Sequence, residues 1–274
     1  IFKTVVAAAA LEKEIVRPEE QFECRGSLGK YGFSCWKQDG HGHISFAEAY
    51  AVSCNITFAQ VARRLSSAEL EEWANRLGVT DPVGWRGKDR FQGTFRQFDG
   101  EEAGQVFSAL TAKHDDGVRV QTGIGQRDVL MSPLAAANLV VTLLNGGEVK
   151  MPRVVKEIRY ADNSLMSSFA EQSFSKEKVI SRHTAKTLLH FMELVVEQGT
   201  AAGLQQARWK VAGKSGTAQV SGGNAQNEWF IGYGQAGKPR FAAAVLVRTS
   251  GKGGRHVATE VFKQVMNVLA EHSL

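Results

Sequence analysis

Apolar residues recur at helical spacing along most of the chain and at strand spacing near its end. Ser66-Ser-Ala-Glu69 is a capping box, and Leu70, Trp73, Ala74 and Leu77 follow at three- and four-residue steps until Gly78 stops the helix. Ser45-Phe-Ala-Glu48 is a second capping box. Ser132 followed by Pro133 supplies a cap and a first-turn proline for a helix carrying Leu139, Val140, Leu143 and Leu144, which ends at Gly146-Gly147. Ser181 opens another helix, with Leu188, Leu189, Met192, Val195 and Val196 on its apolar side and Gly199 beyond it. A last helix near 258–271 aligns Val261, Phe262, Val265, Met266 and Leu269 on one face. The opening residues, IFKTVVAAAALEKE, already read as helix without a start signal, so the chain is expected to be cut there, and the absence of an anchor says nothing about the full protein.

Strand patterns cluster late. Residues 208–220, WFIGYG at 229–234 and RFAAAVLVRT at 240–249 follow one another across short polar or glycine-rich connections, which predicts an antiparallel meander. Helices before and after such a meander predict an α+β fold, an antiparallel β-sheet covered by helices on both faces. Residues 86–117 are polar and glycine-rich and read as a surface excursion, not a linker. No internal repeat interrupts the pattern, so residues 1–274 read as a single domain.

Composition narrows this only a little. A hydrophobic content of 43% and a charged content of 22% are those of an ordinary globular domain. The formal charge of +5 is mild, and no basic run of the kind that binds nucleic acid is present, so no nucleic-acid partner is expected. No apolar run reaches the roughly 18 residues a membrane span needs. The three cysteines, Cys24, Cys35 and Cys54, form no CxxC pair, and His41 and His43 are too few and too loosely placed for a zinc site, so neither metal nor cofactor is expected. Cys24 and Cys35 can bridge a loop in an oxidising compartment, and Cys54 reads as a small buried side chain in a helical segment.

Candidate chemistry begins with RWKVAGKSGTAQ at 208–219. A phosphate-binding loop needs glycine five positions before the Gly-Lys pair, and Arg208 stands there. Trp209 and Val211 alternate with Lys210 and Ala212, which is strand spacing. On an edge strand, Lys214, Ser215 and Thr217 can bind a carboxylate, Gly216 admits a close backbone, and the Thr217 N–H can serve an oxyanion hole. Ser53-Cys54-Asn55 lies between two helical segments; read alone it is a helix cap or turn, but its hydroxyl can relay a proton and its amide can hold a substrate amide. Lys3, at the start of a helix, has the position of a lysine one turn after a nucleophilic serine, and burial would lower its pKa enough for it to act as base.

These three stretches, x-x-K, SCN and KSGT in that order, match the S-x-x-K, S-D-N, K-T-G pattern of penicillin-binding proteins and β-lactamases. IFKTVVAAAALE, GHGHISFAEAYAVSCNITFAQVA, GIGQRDVLMSPLAAANLVVTLLNGG, VVEQGTA, VAGKSGTAQV and NEWFIGYG follow in the family's order. The chain resembles the transpeptidase domain of a class B penicillin-binding protein over nearly its whole length.

The resemblance implies a fold with an added all-helical subdomain and a peptidoglycan D,D-transpeptidase reaction. A serine attacks the D-Ala-D-Ala end of a stem peptide, and an amine of a neighbouring stem resolves the acyl-enzyme; β-lactams acylate the same serine. It implies Lys3 as general base, Ser53 as proton relay, Asn55 as a substrate contact, Lys214 as positive charge, and Ser215 and Thr217 as carboxylate and oxyanion contacts beside Gly216. The serine would precede Ile1, lost with the chain upstream or carrying a covalent adduct. Stem peptides, β-lactams and proteins of a cell-wall-synthesis complex are the implied partners. The implied location is the extracytoplasmic face of the bacterial cytoplasmic membrane, with the anchor upstream of Ile1. A serine β-lactamase, a D,D-carboxypeptidase and a non-catalytic β-lactam sensor or scaffold are the alternatives. The Glu71–Asn75 pair that a β-lactamase reading would use falls within the helix after Ser66, too soon after Ser53 for a separate water-activating loop.

Overall fold

The first helix, α1 (Lys3–Glu12), is built from Thr, Val and Ala and is buried from Lys3 through Ala10, so it sits as an apolar post at the centre of the molecule. The computed structural model describes residues 1–88, 94–108, 114–219, 225–235, 240–250 and 256–272. After α1 come four short strands, β1 (Gln21–Cys24), β2 (Ser27–Leu28), β3 (Phe33–Ser34) and β4 (Gly42–Ser45), in which β1 pairs with β4 and β2 with β3. The helices α2 (Phe46–Ala51), α3 (Asn55–Ala62) and α4 (Ser67–Arg76) then gather around α1. Both predicted capping boxes form, Ser45 with Glu48 and Ser66 with Glu69. Gly78 takes φ +73° just beyond α4, the left-handed stop expected of it.

A hairpin of β5 (Arg86–Lys88) and β6 (Thr94–Arg96) leads towards α5 (Asp116–Gly123) and α6 (Pro133–Leu144). The expected surface excursion at 86–117 holds in part. The β6 residues are exposed, but Val106 and Phe107 are buried in the main core, and residues 89–93 and 109–113 lie outside the described residues. A second exposed hairpin, β7 (Glu157–Arg159) with β8 (Leu165–Ser168), precedes α7 (Arg182–Glu197).

The late meander forms as three long strands, β9 (Lys210–Gln219), β10 (Ala225–Gln235) and β11 (Arg240–Ser250), antiparallel in the order β11-β10-β9; the connections at 220–224 and 236–239 lie outside the described residues. Val211, Ala212, Gly213 and Lys214 are buried in succession, so the alternation predicted for this strand gives way to burial on both faces. Helices cover both sides of the sheet. Phe262 of the closing helix α8 (Val257–His272) packs its ring 4.7 Å from that of Phe230, while α6 and α7 contribute Leu139, Leu143, Leu188 and Val195 to the same core. The apolar face of α8 runs through Ala258, Phe262, Met266 and Ala270; Val265, placed on that face from the sequence, is 39% exposed. None of the described helices is long and apolar enough to cross a membrane.

The cysteines depart from the linear reading. All three are free and buried, and together with His41 they bring four potential metal-ligand atoms within 4.8 Å of one another. The sequence argument against a metal site rested on spacing along the chain, which β1–β4 pairing overrides. His43 is not part of the group; it is exposed, 4.0 Å from Glu23. Cys54 lies between helices, as the cap of α3, and not inside one.

Candidate active site

Lys3 stands in the first turn of α1, and its stem is covered by the surrounding helices, leaving the residue 4% exposed. Its Nζ donates to the Ser53 carbonyl at 2.8 Å and to Asn55 Oδ1 at 2.7 Å, and lies 3.1 Å from Ser53 Oγ. Burial lowers the Lys3 pKa to about 8, with the thiols of Cys54 and Cys35 pulling the other way. Two of these partners can only accept, so they occupy two N–H bonds. Ser53 Oγ is the ambivalent third: it accepts from an ammonium and donates to a neutral amine.

The turn that presents Ser53 is strained. Ser53 has φ +55°, a left-handed conformation that costs a non-glycine residue on the order of 1–3 kcal/mol. It is imposed from both sides. The Ser53 N–H closes α2 on the Tyr50 carbonyl and the Cys54 N–H on that of Ala49, while Cys54 Sγ accepts from the Thr57 N–H to start α3. Tyr50, also in α2, bonds Thr4 of α1 through its hydroxyl at 2.9 Å, tying the two helices that carry Lys3 and the turn.

Opposite these groups runs β9, which forms one edge of the three-stranded sheet. Lys214 is fully buried, its Nζ 3.0 Å from the Ser215 carbonyl and 5.6 Å from the centre of the Tyr50 ring. Burial first, and the charge of Lys3 second, push its pKa well down. A solvated strand lysine is therefore excluded. Ser215 Oγ shares a 2.6 Å hydrogen bond with Thr200 Oγ1, and the Thr217 carbonyl accepts from Gln126 Nε2 at 3.1 Å. At Gly216 the backbone of Ile1 comes so close that a Cβ would meet the Ile1 nitrogen at 2.9 Å. The close approach expected at this glycine is thus made by the chain itself, at the foot of α1.

A cleft of about 640 Å³ joins the two sides. Lys3, Ser53, Asn55, Ser215, Gly216 and Thr217 all line it; Lys214, buried beside the Tyr50 ring, does not. Residues more than 200 positions apart in sequence thus meet in one place. Thr200 and Gln126, which sequence reasoning left without a role, also line the cleft, as do Glu228 and Trp36, which is 54% exposed. Both Thr200 and Gln126 sit in stretches quoted above, VVEQGTA and GIGQRD. Glu228 pairs with Thr217 across β9 and β10 and accepts from the Val257 N–H at 2.9 Å, so it is engaged in holding the start of α8. Glu71 and Asn75 do not line the cleft; Asn75 bonds Thr80 and Asp81 instead.

Residues 1–267 match the family model described as the penicillin-binding protein transpeptidase domain. The chain is 31% identical over 255 residues to stage V sporulation protein D of Bacillus subtilis, covering 90% of this chain and 37% of that protein. It is 27% identical over 270 residues to the peptidoglycan D,D-transpeptidase PbpA of Mycolicibacterium smegmatis, covering 91% of this chain and 49% of that one. Among solved structures, penicillin-binding protein A of Mycobacterium tuberculosis as its imipenem acyl-enzyme superposes with a TM-score of 0.80 at 23% identity, covering 98% of this chain and 58% of the other. The chain therefore spans from about a third to a half of the length of these curated relatives.

Proposed function

We propose that this chain, which belongs to the penicillin-binding protein transpeptidase family, is the catalytic part of a peptidoglycan D,D-transpeptidase that is acylated by β-lactams. The observation that carries the reading is the cleft itself, where Lys3, Ser53 and Asn55 face Ser215, Gly216 and Thr217. The nucleophile is the serine immediately preceding Ile1. The Thr4 N–H bonds the Ile1 carbonyl at 2.9 Å and the Ile1 backbone abuts Gly216, which supports a serine one position earlier at the head of α1.

The hydrogen bonds around Lys3 suggest the proton path. Neutral Lys3 takes the serine proton as the serine attacks the penultimate D-alanine carbonyl or the lactam carbonyl. The ammonium so formed is met by its three acceptors; Ser53 Oγ gives its proton to the departing D-alanine amine as it takes one from Lys3, which returns to the neutral amine. Asn55, whose Oδ1 is engaged by Lys3, keeps its amide N–H bonds for the substrate backbone. The Thr217 N–H stabilises the developing oxyanion. Ser215, fixed by Thr200, binds the terminal carboxylate. Burial and the Lys3 charge hold the Lys214 pKa down, and an arriving carboxylate opposes that shift by favouring the charged form.

Whole-protein properties follow as part of the same proposal. The donor is a stem peptide ending in D-Ala-D-Ala, the acceptor an amine of a neighbouring stem, and the site faces the outside of the cytoplasmic membrane, anchored by a segment upstream of Ile1 and served by cell-wall-synthesis partners. The test is a chromogenic β-lactam offered to the full-length protein. Stoichiometric, slowly reversed labelling supports the transpeptidase; rapid multiple-turnover hydrolysis identifies a β-lactamase instead.

A further inference from the structure

Close to the catalytic turn, four side chains converge without a role in the reaction. Cys24 closes β1, Cys35 follows β3, His41 precedes β4, and Cys54 caps α3. His41 Nδ1 lies 3.5 Å from Cys24 Sγ and 3.6 Å from Cys35 Sγ, and all four donor atoms fall within 4.8 Å of one another. A tetrahedral zinc ion about 2.3 Å from sulfur and about 2.0 Å from nitrogen sets its neighbouring donors roughly 3.5–3.8 Å apart. Those are the spacings of the histidine to its two thiols.

The surroundings suit a closed metal site. The three thiols are buried with Ala49 and Ile56 in a small cluster separate from the main core. Cys54 Sγ accepts from both the N–H and the hydroxyl of Thr57, at 3.5 and 3.4 Å, bonds that favour a thiolate. The loops that carry Cys24 and Cys35 are held tightly. Gly26 and Gly40 both take left-handed conformations, and a Cβ at either would collide with the other loop's backbone, with the Gln38 carbonyl or the Cys24 carbonyl. Trp36 meets the His41 ring edge-on, with centres 5.1 Å apart, and donates its indole N–H to the Val52 carbonyl, one residue before Ser53.

We propose that Cys24, Cys35, His41 Nδ1 and Cys54 bind one zinc ion, and that this ion fixes the turn carrying Ser53 and Asn55 against Lys3. Binding converts three thiols to thiolates with loss of three protons and leaves His41 neutral, its remaining proton on Nε2. Four protein ligands leave no open position, so the ion is structural and takes no part in acyl transfer. Its leverage on the reaction comes from Cys54, whose neighbours on either side are the relay and the amide. The coupling half of this inference rests on the proposed acyl-serine chemistry; the metal half does not.

The experiment is elemental analysis and thiol titration of the full-length protein, followed by its rate of labelling with a fluorescent penicillin before and after treatment with a strong chelator. About one zinc per chain, with the three thiols protected until chelator and denaturant are added, is the expected result. Removal of the ion is expected to slow labelling about 10–100-fold, as for a small misplacement of a catalytic group, with zinc restoring the rate. His41→Cys keeps four ligands and should retain zinc and rate, whereas His41→Ala should lose both. Three reactive thiols without metal, a Cys24–Cys35 disulfide, or iron or copper in place of zinc overturns the site. Bound zinc whose removal leaves labelling unchanged overturns the coupling. Zinc in a protein that no penicillin labels under any condition leaves the site standing and sinks the acyl-serine reading.

Discussion

At the scale of single residues, Lys3 is where sequence and structure bear on each other most directly. Lys3 is buried, has a pKa of about 8 and donates to two obligatory acceptors, and the proposed reaction asks it to take a proton from the N-terminal end of its own helix. Lys3→Met keeps an unbranched apolar stem in the buried site and removes the Nζ that stands 5.5 Å from the Phe58 ring centre. Acylation of the full-length protein by a fluorescent penicillin is expected to fall by about 10²–10⁴-fold, while the thermal midpoint moves little. Near-normal labelling of that variant removes Lys3 from the mechanism. Thr200→Val tests the carboxylate end. It deletes the 2.6 Å bond to Ser215 Oγ, worth about 1 kcal/mol, or roughly fivefold in affinity. The loss should fall on ligands with a carboxylate and spare analogues without one, measured as the ratio of their acylation rates. Lys3, Ser53, Asn55, Ser215 and Thr217 could be named from the sequence because their spacing resembles a known family. Thr200 and Gln126 could not, because each acts through a partner that only folding supplies, Ser215 fifteen positions away and Thr217 ninety-one positions away.

At the scale of elements, what could be read ahead was what is decided locally. Ser66 and Glu69 lie three residues apart, so their capping box is written in four letters and forms as written. The face of α8 was misjudged at Val265 because the choice among neighbouring apolar stripes belongs to the sheet it meets. The cysteine and histidine group was rejected as a metal site on linear spacing for a related reason: β1 and β4 pair with Cys24 opposite Gly42, and no local pattern announces that pairing. Ser66→Ala should lower stability by about 0.5–2 kcal/mol at neutral pH, read from the shift in urea midpoint at constant slope. Glu69 carries a pH dependence of known sign. Its hydrogen bonds from Lys13 and from Ser66 hold its pKa down from 4.5 to about 2. A carboxylate with a depressed folded-state pKa contributes stability above its unfolded value and loses it as pH falls through the folded one. The penalty of Glu69→Gln should therefore be full above pH 5 and shrink as the pH is taken from about 4.5 towards 2. A penalty that is flat across that range contradicts the assigned ion pair.

At the scale of the whole molecule, the fold brings the first turn of the chain against a strand more than two hundred residues later and closes a cleft between them. Gly216 is the point of contact, where the Ile1 backbone lies too close for a side chain. The helices around α1 set one wall, the β9 edge sets the other, and the strained Ser53 turn joins them at Lys3. An acyl-serine enzyme requires that the residue preceding Ile1 be a serine whose hydroxyl reaches both Lys3 and the carboxylate subsite. The most direct test is intact-mass analysis of the full-length protein with and without penicillin, followed by peptide mapping. A mass increase of one penicillin per chain, persisting over hours and located on the serine immediately before Ile1-Phe2-Lys3, is the predicted result. An unchanged mass under conditions where the protein is folded, or an adduct on any other residue, contradicts it.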